Sequence, residues 1–80
     1  MTATIELSYY PLQDDYPTAV LQFLDKLRAI PGVELQTNGM STILIGPLET
    51  LWAQLGVLIE AEFISAAPLF VMKIAPGRRE

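Results

Sequence analysis

The segment 37–42, Thr-Asn-Gly-Met-Ser-Thr, contains more polar side chains than a tight turn requires. An Asn-Gly pair is by itself a strong hairpin signal, yet hydroxyl groups flank Asn38-Gly39 on both sides and the thioether of Met40 follows. Hydroxyl and amide groups can hydrogen-bond the edge of a small heteroaromatic ring, and a thioether makes soft contacts with the ring. The segment therefore predicts either a small-ligand site or a purely structural hairpin.

The composition excludes most catalytic and metal-binding chemistry. The chain of 80 residues has no His and no Cys, which removes the usual general bases, zinc ligands and disulfides. Nine acidic residues against five basic ones give a net charge of -4, and this balance disfavours nucleic acid as a partner. We therefore expect a non-enzymatic protein with a neutral or cationic small-molecule ligand and no protein-bound cofactor or metal.

Neither a secretory signal nor a membrane span is expected. Residues 1–10 lack a basic residue and alternate in polarity instead of forming an apolar run. The longest strongly apolar run, residues 64–72, is far shorter than the roughly 18 residues that a membrane span needs. We expect a cytoplasmic protein with no membrane partner.

Hydrophobic periodicity predicts four strands and two helices. Alternation with period two indicates strands at residues 4–10, 33–38, 40–46 and 69–75. Apolar residues at helical spacing indicate a first helix that begins near Pro17 and ends at Pro31-Gly32, and a second over residues 48–62. Residues 76–80 are expected to form a frayed tail.

The element order βαββαβ predicts a single α+β domain over residues 1–80. Its simplest right-handed arrangement is a ferredoxin-like sandwich, a four-stranded antiparallel sheet with both helices on one face. We expect the helix-covered face to receive Ile5, Leu7, Tyr9, Val33, Leu35, Ile43, Ile45, Phe70, Met72 and Ile74. We expect the open face to carry Glu6, Ser8, Tyr10, Glu34, Gln36, Asn38, Met40, Thr42, Leu44, Leu69, Val71 and Lys73.

The second helix has a continuous apolar stripe. The stripe places Trp52 in the core, together with Leu48, Leu51, Leu55, Leu58 and Ile59. Gly56 weakens the helix by about 1 kcal/mol relative to Ala, which suggests close approach to a neighbouring element. Apolar residues on the open sheet face, among them Leu44 and Val71, predict that a second copy of the chain covers it.

Four features together resemble the YkoF-like family of thiamine- and hydroxymethylpyrimidine-binding proteins: Tyr9-Tyr10-Pro11-Leu12 at the end of the first strand, the long first helix, the segment 37–42, and Gly46 at the end of the third strand. The resemblance implies a single-domain member that associates through its sheet as a homodimer or homotetramer. It also implies that the chain binds the pyrimidine portion of thiamine without altering it. The matching positions are Thr37, Asn38, Met40, Ser41 and Thr42, with Tyr10 nearby.

The cationic, aminopyrimidine-containing thiamine molecule agrees with the chemistry of the residues. Glu6 could accept a hydrogen bond from the exocyclic amine or offset the thiazolium charge. Two alternatives stay open: a small dimeric ferredoxin-like enzyme, for which only carboxylates and tyrosines could serve as acid–base groups, and a regulatory or assembly module for another heterocyclic ligand. The glycine-containing loop that amino-acid-sensing modules place after the first strand is replaced here by Pro11-Leu12-Gln13-Asp14.

Overall fold

A computed structural model describes residues 1–12, 14–39 and 41–79. The elements are β1 (Thr2–Tyr10), α1 (Tyr16–Arg28), β2 (Glu34–Thr37), β3 (Thr42–Pro47), α2 (Leu48–Ser65) and β4 (Leu69–Pro76). The strands form one antiparallel sheet in the order β2-β3-β1-β4. The predicted ferredoxin-like βαββαβ arrangement is confirmed.

The core lies between the sheet and the helices and is centred on β1. Ile5, in the central strand, is opposite Leu44 of β3 and Ile74 of β4, and both Ile5 and Leu44 are completely buried. The α1 residues Phe23 and Leu27 pack on this layer, so α1 and β1 hold each other in place. The buried side chains from α2 are Leu51, Leu55 and Glu62.

The predicted orientation of β3 is wrong. Because Ile5 is opposite Leu44 and Leu7 is opposite Thr42, these two β3 residues lie on the helix-covered side, and Ile43 and Ile45 lie on the open side. Apolar residues occupy both faces of this strand, so alternation alone could not decide between them. The crowded position of Gly46 favours the observed orientation of β3, because an added Cβ there would lie 3.0 Å from the Gly32 carbonyl oxygen and 3.2 Å from Val33 Cγ2.

The helices begin and end near the predicted positions, but the environment of α2 differs from the expectation. Trp52 was predicted in the core and is instead 63% exposed. Gly56 has no atom within 4 Å of an added Cβ, so no element of this chain approaches it closely. Across the described ranges, no helix is both long and apolar enough to cross a membrane.

Residues 77–79 do not fray as predicted but fold back over the open face of the sheet; Glu80 of the predicted tail lies outside the described residues. Gly77, with a φ of 75°, turns the chain so that its N–H donates to the Thr2 carbonyl oxygen. Thr4 Oγ1 donates to the Gly77 carbonyl oxygen and accepts from the Arg79 N–H, each at 2.8 Å. Arg78 reaches Glu34 in the far edge strand, with 2.6 Å between nitrogen and oxygen.

This C-terminal clasp (residues 77–79) covers one end of the open face. Thr4 and Glu34 are both register partners of Ile45, so a segment bonded to both crosses over Ile45, which is only 3% exposed. The Arg78 guanidinium, bonded to Glu34, lowers the pKa of that carboxyl below its ordinary value, and the Gln36 amide adds to the effect. Acidification should therefore weaken the Arg78–Glu34 pair, because its stabilisation is present above the ordinary pKa of Glu34 and is lost as the pH falls through the lowered one.

We predict that Thr4→Val lowers the free energy of unfolding by about 1–3 kcal/mol, since it removes two neutral hydrogen bonds while keeping the β-branched shape. Denaturant unfolding measures the change. Thr2→Val, an exposed position on the same face of β1, is the matched control and should change stability by about 0.5 kcal/mol or less. Equal effects of the two substitutions would contradict a stabilising clasp.

Candidate functional site

A small cavity opens between α1 and the β2–β3 hairpin. Its volume is about 80 Å³. The lining residues come from β1, α1 and the hairpin: Leu7, Tyr9, Tyr16, Val20, Phe23, Leu24, Leu27, Asn38, Gly39, Ser41 and Thr42. The cavity thus combines aromatic and aliphatic walls with one polar edge, which is the general character of a small-molecule site.

The hairpin supplies the polar edge. Asn38 Oδ1 accepts a hydrogen bond from the Ser41 N–H at 2.9 Å, and the Asn38 N–H donates to the Ser41 carbonyl oxygen at 3.1 Å. These two bonds close the turn and fix the side chains on either side of it. Thr42, the first residue of β3, is buried on the helix-covered side and therefore extends the polar edge into the cavity.

The structure brings three of the seven predicted site residues together at the cavity: Asn38, Ser41 and Thr42. Thr37 is the register partner of Thr42 in β2, but it is exposed and does not line the cavity wall. Met40 lies outside the described residues.

The other two predicted residues, Glu6 and Tyr10, lie on the opposite face of the sheet. Glu6 lines an open depression of about 370 Å³ together with Thr4, Ile43, Ala75 and Lys73, among others. Its carboxylate is 3.7 Å from the Lys73 ammonium, an exposed pair of small energetic value. Neither Glu6 nor Tyr10, which is 42% exposed, can contact a molecule held in the hairpin cavity of the same chain, because the sheet separates them.

Aromatic rings form one wall of the cavity, and this wall was not predicted from the sequence. The Tyr9 ring lies with its centroid 4.6 Å from that of Phe23 and stacks on Phe70 at 5.0 Å. Tyr16, at the start of α1, lines the cavity from the other side. Tyr9 was predicted on the helix-covered face, where its ring both packs against the core and lines the cavity.

A polar contact behind the aromatic wall fixes Tyr9. Its hydroxyl donates to Glu62 Oε2 at 2.9 Å, and Lys26 Nζ of α1 lies 3.3 Å from Glu62 Oε1. The Glu62 side chain is only 11% exposed, so its carboxylate is nearly enclosed. Burial raises the pKa of Tyr9 to about 12, and the hydrogen bond to Glu62 and the negative charge of Glu62 act in the same direction.

Glu62 was missed although the sequence contained a signal for it. The α2 stripe through Leu51, Leu55 and Leu58 continues at helical spacing to position 62, where a carboxylate replaces the expected apolar residue. A charged residue at an inward helical position needs a partner to offset the loss of solvation. Here Tyr9 and Lys26 are those partners, and they join α2 to β1 and α1.

The residues at the cavity offer groups for hydrogen bonding and for stacking. The ionisable side chains among the described lining residues are Tyr9 and Tyr16, and the Tyr9 hydroxyl is bonded to Glu62. The Asn38, Ser41 and Thr42 side chains can offer hydrogen-bond donors and acceptors, while the aromatic wall offers a face for stacking. The arrangement fits a planar polar molecule or the planar part of a larger one.

Comparisons with known proteins identify the fold. No family model and no curated protein matches the chain. Among solved structures, protein SP2199 of Streptococcus pneumoniae matches with a TM-score of 0.84 and 25% identity, over 98% of this chain and 89% of that protein. A Thermotoga maritima protein provisionally assigned to thiamine biosynthesis or salvage matches with a TM-score of 0.82 and 14% identity, over 96% and 85% of the two chains.

A domain of unknown function, DUF77, from Bacillus cereus has the same architecture. Its TM-score is 0.76 and its identity 20%, over 94% of this chain and 75% of that one. At these identities the Thermotoga and Bacillus structures show a shared fold. The present chain therefore has the ferredoxin-like fold of a group of structures that includes a thiamine-related protein and a DUF77 domain.

We predict that a titration of tyrosinate absorbance will show one late step near pH 12 that Tyr9→Phe abolishes. Because the pKa of Tyr9 is raised above its ordinary value of 10.0, the associated stabilisation is present below pH 10 and is lost between pH 10 and 12. The stability difference between the wild type and Tyr9→Phe should therefore shrink over that interval. Tyr10→Phe is the control and should keep the late step; its loss in that variant would contradict the assignment.

Proposed function

We propose that the chain is a single-domain member of the YkoF-like family and binds thiamine or its hydroxymethylpyrimidine moiety without altering it. The observation that carries this proposal is the location of the hairpin segment 37–42. The stretch that resembles the family provides the polar edge of a cavity whose other walls are aromatic and aliphatic. The shared fold with a thiamine-related Thermotoga protein supports the same conclusion.

The small volume of the cavity favours a ligand that inserts one edge of its ring and leaves the rest outside. An enclosed cavity that holds benzene has a volume of about 150 Å³, whereas this one measures about 80 Å³ and opens to solvent. A pyrimidine can place its nitrogen-bearing edge against Asn38, Ser41 and Thr42 while its remaining atoms lie at the mouth. In thiamine the thiazolium group would then be outside the cavity, near Tyr16 and the start of α1.

The charge of the lining residues favours an unphosphorylated ligand. No Lys or Arg is among the described residues that line the cavity, and a phosphate group is normally bound by such residues. Calorimetric titration should therefore rank thiamine and hydroxymethylpyrimidine above thiamine diphosphate. The alternative function is a small ferredoxin-like enzyme. Such an enzyme would find no carboxylate or ammonium group among the described residues that line the cavity.

We predict that Thr42→Val weakens binding of thiamine or hydroxymethylpyrimidine about 2- to 12-fold, which corresponds to about 0.5–1.5 kcal/mol for one neutral hydrogen bond. Valine keeps the shape and strand preference of Thr42, so the melting temperature should change little. Calorimetry and thermal unfolding of the same samples give both quantities. The control is Thr18→Val at an exposed position of α1, which should leave affinity unchanged. A lower melting temperature with unchanged affinity would remove Thr42 from the site.

The open sheet face is the proposed surface for assembly into a homodimer or homotetramer. The C-terminal clasp covers its Ile45 end, whereas Leu69 and Val71 at the other end are 54% and 47% exposed. Leu44 was predicted to contribute to this surface, but it lies in the core and is fully buried. The proposed contact therefore involves Ile43 of β3 and Leu69 and Val71 of β4, which lie on the same face of the sheet on either side of β1.

We predict that Val71→Glu reduces the sedimenting mass and lowers the melting temperature, because a charge would have to be buried in the contact between sheets. Sedimentation velocity measures the mass. Leu21→Glu, an exposed apolar position on α1, introduces the same charge elsewhere and should not change it. A wild-type chain that sediments as a monomer at micromolar concentration would rule out this assembly.

A further inference from the structure

β2 leads into the polar edge of the cavity but has little hold on the core. It is an edge strand of four residues, Glu34–Thr37, and the residues that follow it include Asn38, Ser41 and Thr42 of the cavity wall. None of its side chains is fully buried, and Leu35 alone packs partly against the core. An element with few buried apolar contacts opens locally more readily than the rest of a fold. The hairpin therefore depends on contacts that hold β2 from outside the core.

The C-terminal clasp supplies such a contact. Arg78, just beyond β4, reaches Glu34 with 2.6 Å between nitrogen and oxygen, and β4 and β2 are the two opposite edges of the sheet. The pair thus joins these edges across the open face. Gln36, two residues further along β2, donates its side-chain N–H to the same Glu34 oxygen at 3.1 Å. The Glu34 carboxylate is therefore held by two donors.

The backbone that carries Arg78 is fixed on both sides. Before it, the Gly77 N–H donates to the Thr2 carbonyl oxygen, and the Gly77 carbonyl oxygen accepts from Thr4 Oγ1. After it, the Arg79 N–H donates to the same Thr4 oxygen at 2.8 Å. Thr4 is buried in β1, an interior strand. Because the backbone is already ordered, less conformational freedom is lost when the Arg78 side chain pairs.

We propose that the Arg78–Glu34 pair positions the ligand-binding hairpin from the opposite face of the sheet. By holding Glu34, Arg78 keeps β2 paired with β3, where Glu34 is opposite Ile45 and Thr37 is opposite Thr42. Strand residues lie about 3.3 Å apart, so the pair acts roughly 10 Å from the last residue of β2. Neither partner lines the cavity, which makes Arg78 a positioning residue. The inference rests on the proposed function in that it takes the hairpin as the binding segment.

This arrangement makes the site sensitive to conditions outside the cavity. The two side chains of the pair are 51% and 44% exposed, and the attraction between exposed charges is screened by salt. When the pair opens, β2 separates from β3 more often, and the fraction of chains with a formed hairpin falls. Because apparent affinity scales with that fraction, high ionic strength should weaken ligand binding although no charged side chain is among the ligand contacts.

Hydrogen exchange of single amides tests the pair without a ligand. The amides of Asn38 and Ser41 report the two bonds that close the hairpin. Arg78→Gln removes the charge and leaves the backbone bonds to Thr4 in place, so these two amides should exchange about two- to fivefold faster. Amides in the middle of α2 should keep the wild-type rate. Arg78→Lys retains the positive charge and should restore part of the protection.

The matched control is Arg28→Gln. The Arg28 side chain is also 51% exposed and also forms an ion pair, with Asp25 of the same helix at 3.2 Å. Its replacement changes the net charge equally but should leave the exchange of the hairpin amides unchanged. Equal hairpin exchange in Arg78→Gln and Arg28→Gln would overturn the proposal. Equal acceleration of the hairpin and α2 amides in Arg78→Gln would overturn it as well, because it would indicate a general loss of stability.

Calorimetric titration with thiamine separates this inference from the proposed function. Arg78→Gln should weaken binding by about twofold or more at low salt, and added salt should then weaken binding less in this variant than in the wild type. A wild-type chain that binds neither thiamine nor hydroxymethylpyrimidine would refute the proposed function, while the exchange experiment would still decide whether Arg78 holds the hairpin. A wild-type chain that binds thiamine, together with unchanged affinity in Arg78→Gln, would overturn the positioning role and leave the proposed function standing.

Discussion

The close approach of Gly46 to the start of β2 is the constraint on which the candidate site depends. A hypothetical Cβ at Gly46 would lie 3.0 Å from the Gly32 carbonyl oxygen, a tight contact that a larger residue could make only if its neighbours moved by a few tenths of an ångström. This contact fixes which side of β3 faces the helices, because side chains alternate along a strand. Thr42 and Leu44 are directed inward as a result. If β3 were shifted by one residue, Thr42 would lie on the open face and the hairpin cavity would lose the innermost part of its polar edge.

The second determinant is the contact between Tyr9 and Glu62, which places a polar link behind an aromatic wall. Tyr9 touches the cavity with its ring and α2 with its hydroxyl, so the wall of the proposed site is tied to the far helix. The cost of enclosing the Glu62 carboxylate is offset by two partners. Because the Tyr9 ring is held at both ends, its position should change little when a ligand binds. Such preorganisation reduces the conformational entropy that binding must remove.

The fold could be predicted from sequence because the signals for strands and helices were strong and consistent. Two of the failures share one physical cause: periodicity shows that a face is apolar but not what covers it. β3 is apolar on both faces, so its orientation depended on a close backbone contact at Gly46. Trp52 continued the α2 stripe in sequence but lies at its margin in three dimensions. The clasp depended on hydrogen bonds between Thr4 and residues more than seventy positions away, which no local pattern reveals.

The positions of two surfaces on the fold separate ligand binding from assembly. The hairpin cavity lies on the helix-covered side of the sheet, whereas the proposed assembly surface around Val71 is on the opposite face. A chain of this length buries only about 60–65% of its unfolded surface, so contacts between copies can add stability by mass action. Since the proposed sheet contact lies on the face opposite the cavity, the chain can gain stability from assembly without losing access for its ligand. Coupling between the proposed sheet contact and ligand binding has a short route through β1, because Val71 is the register partner of Ser8 and the next residue, Tyr9, lines the cavity.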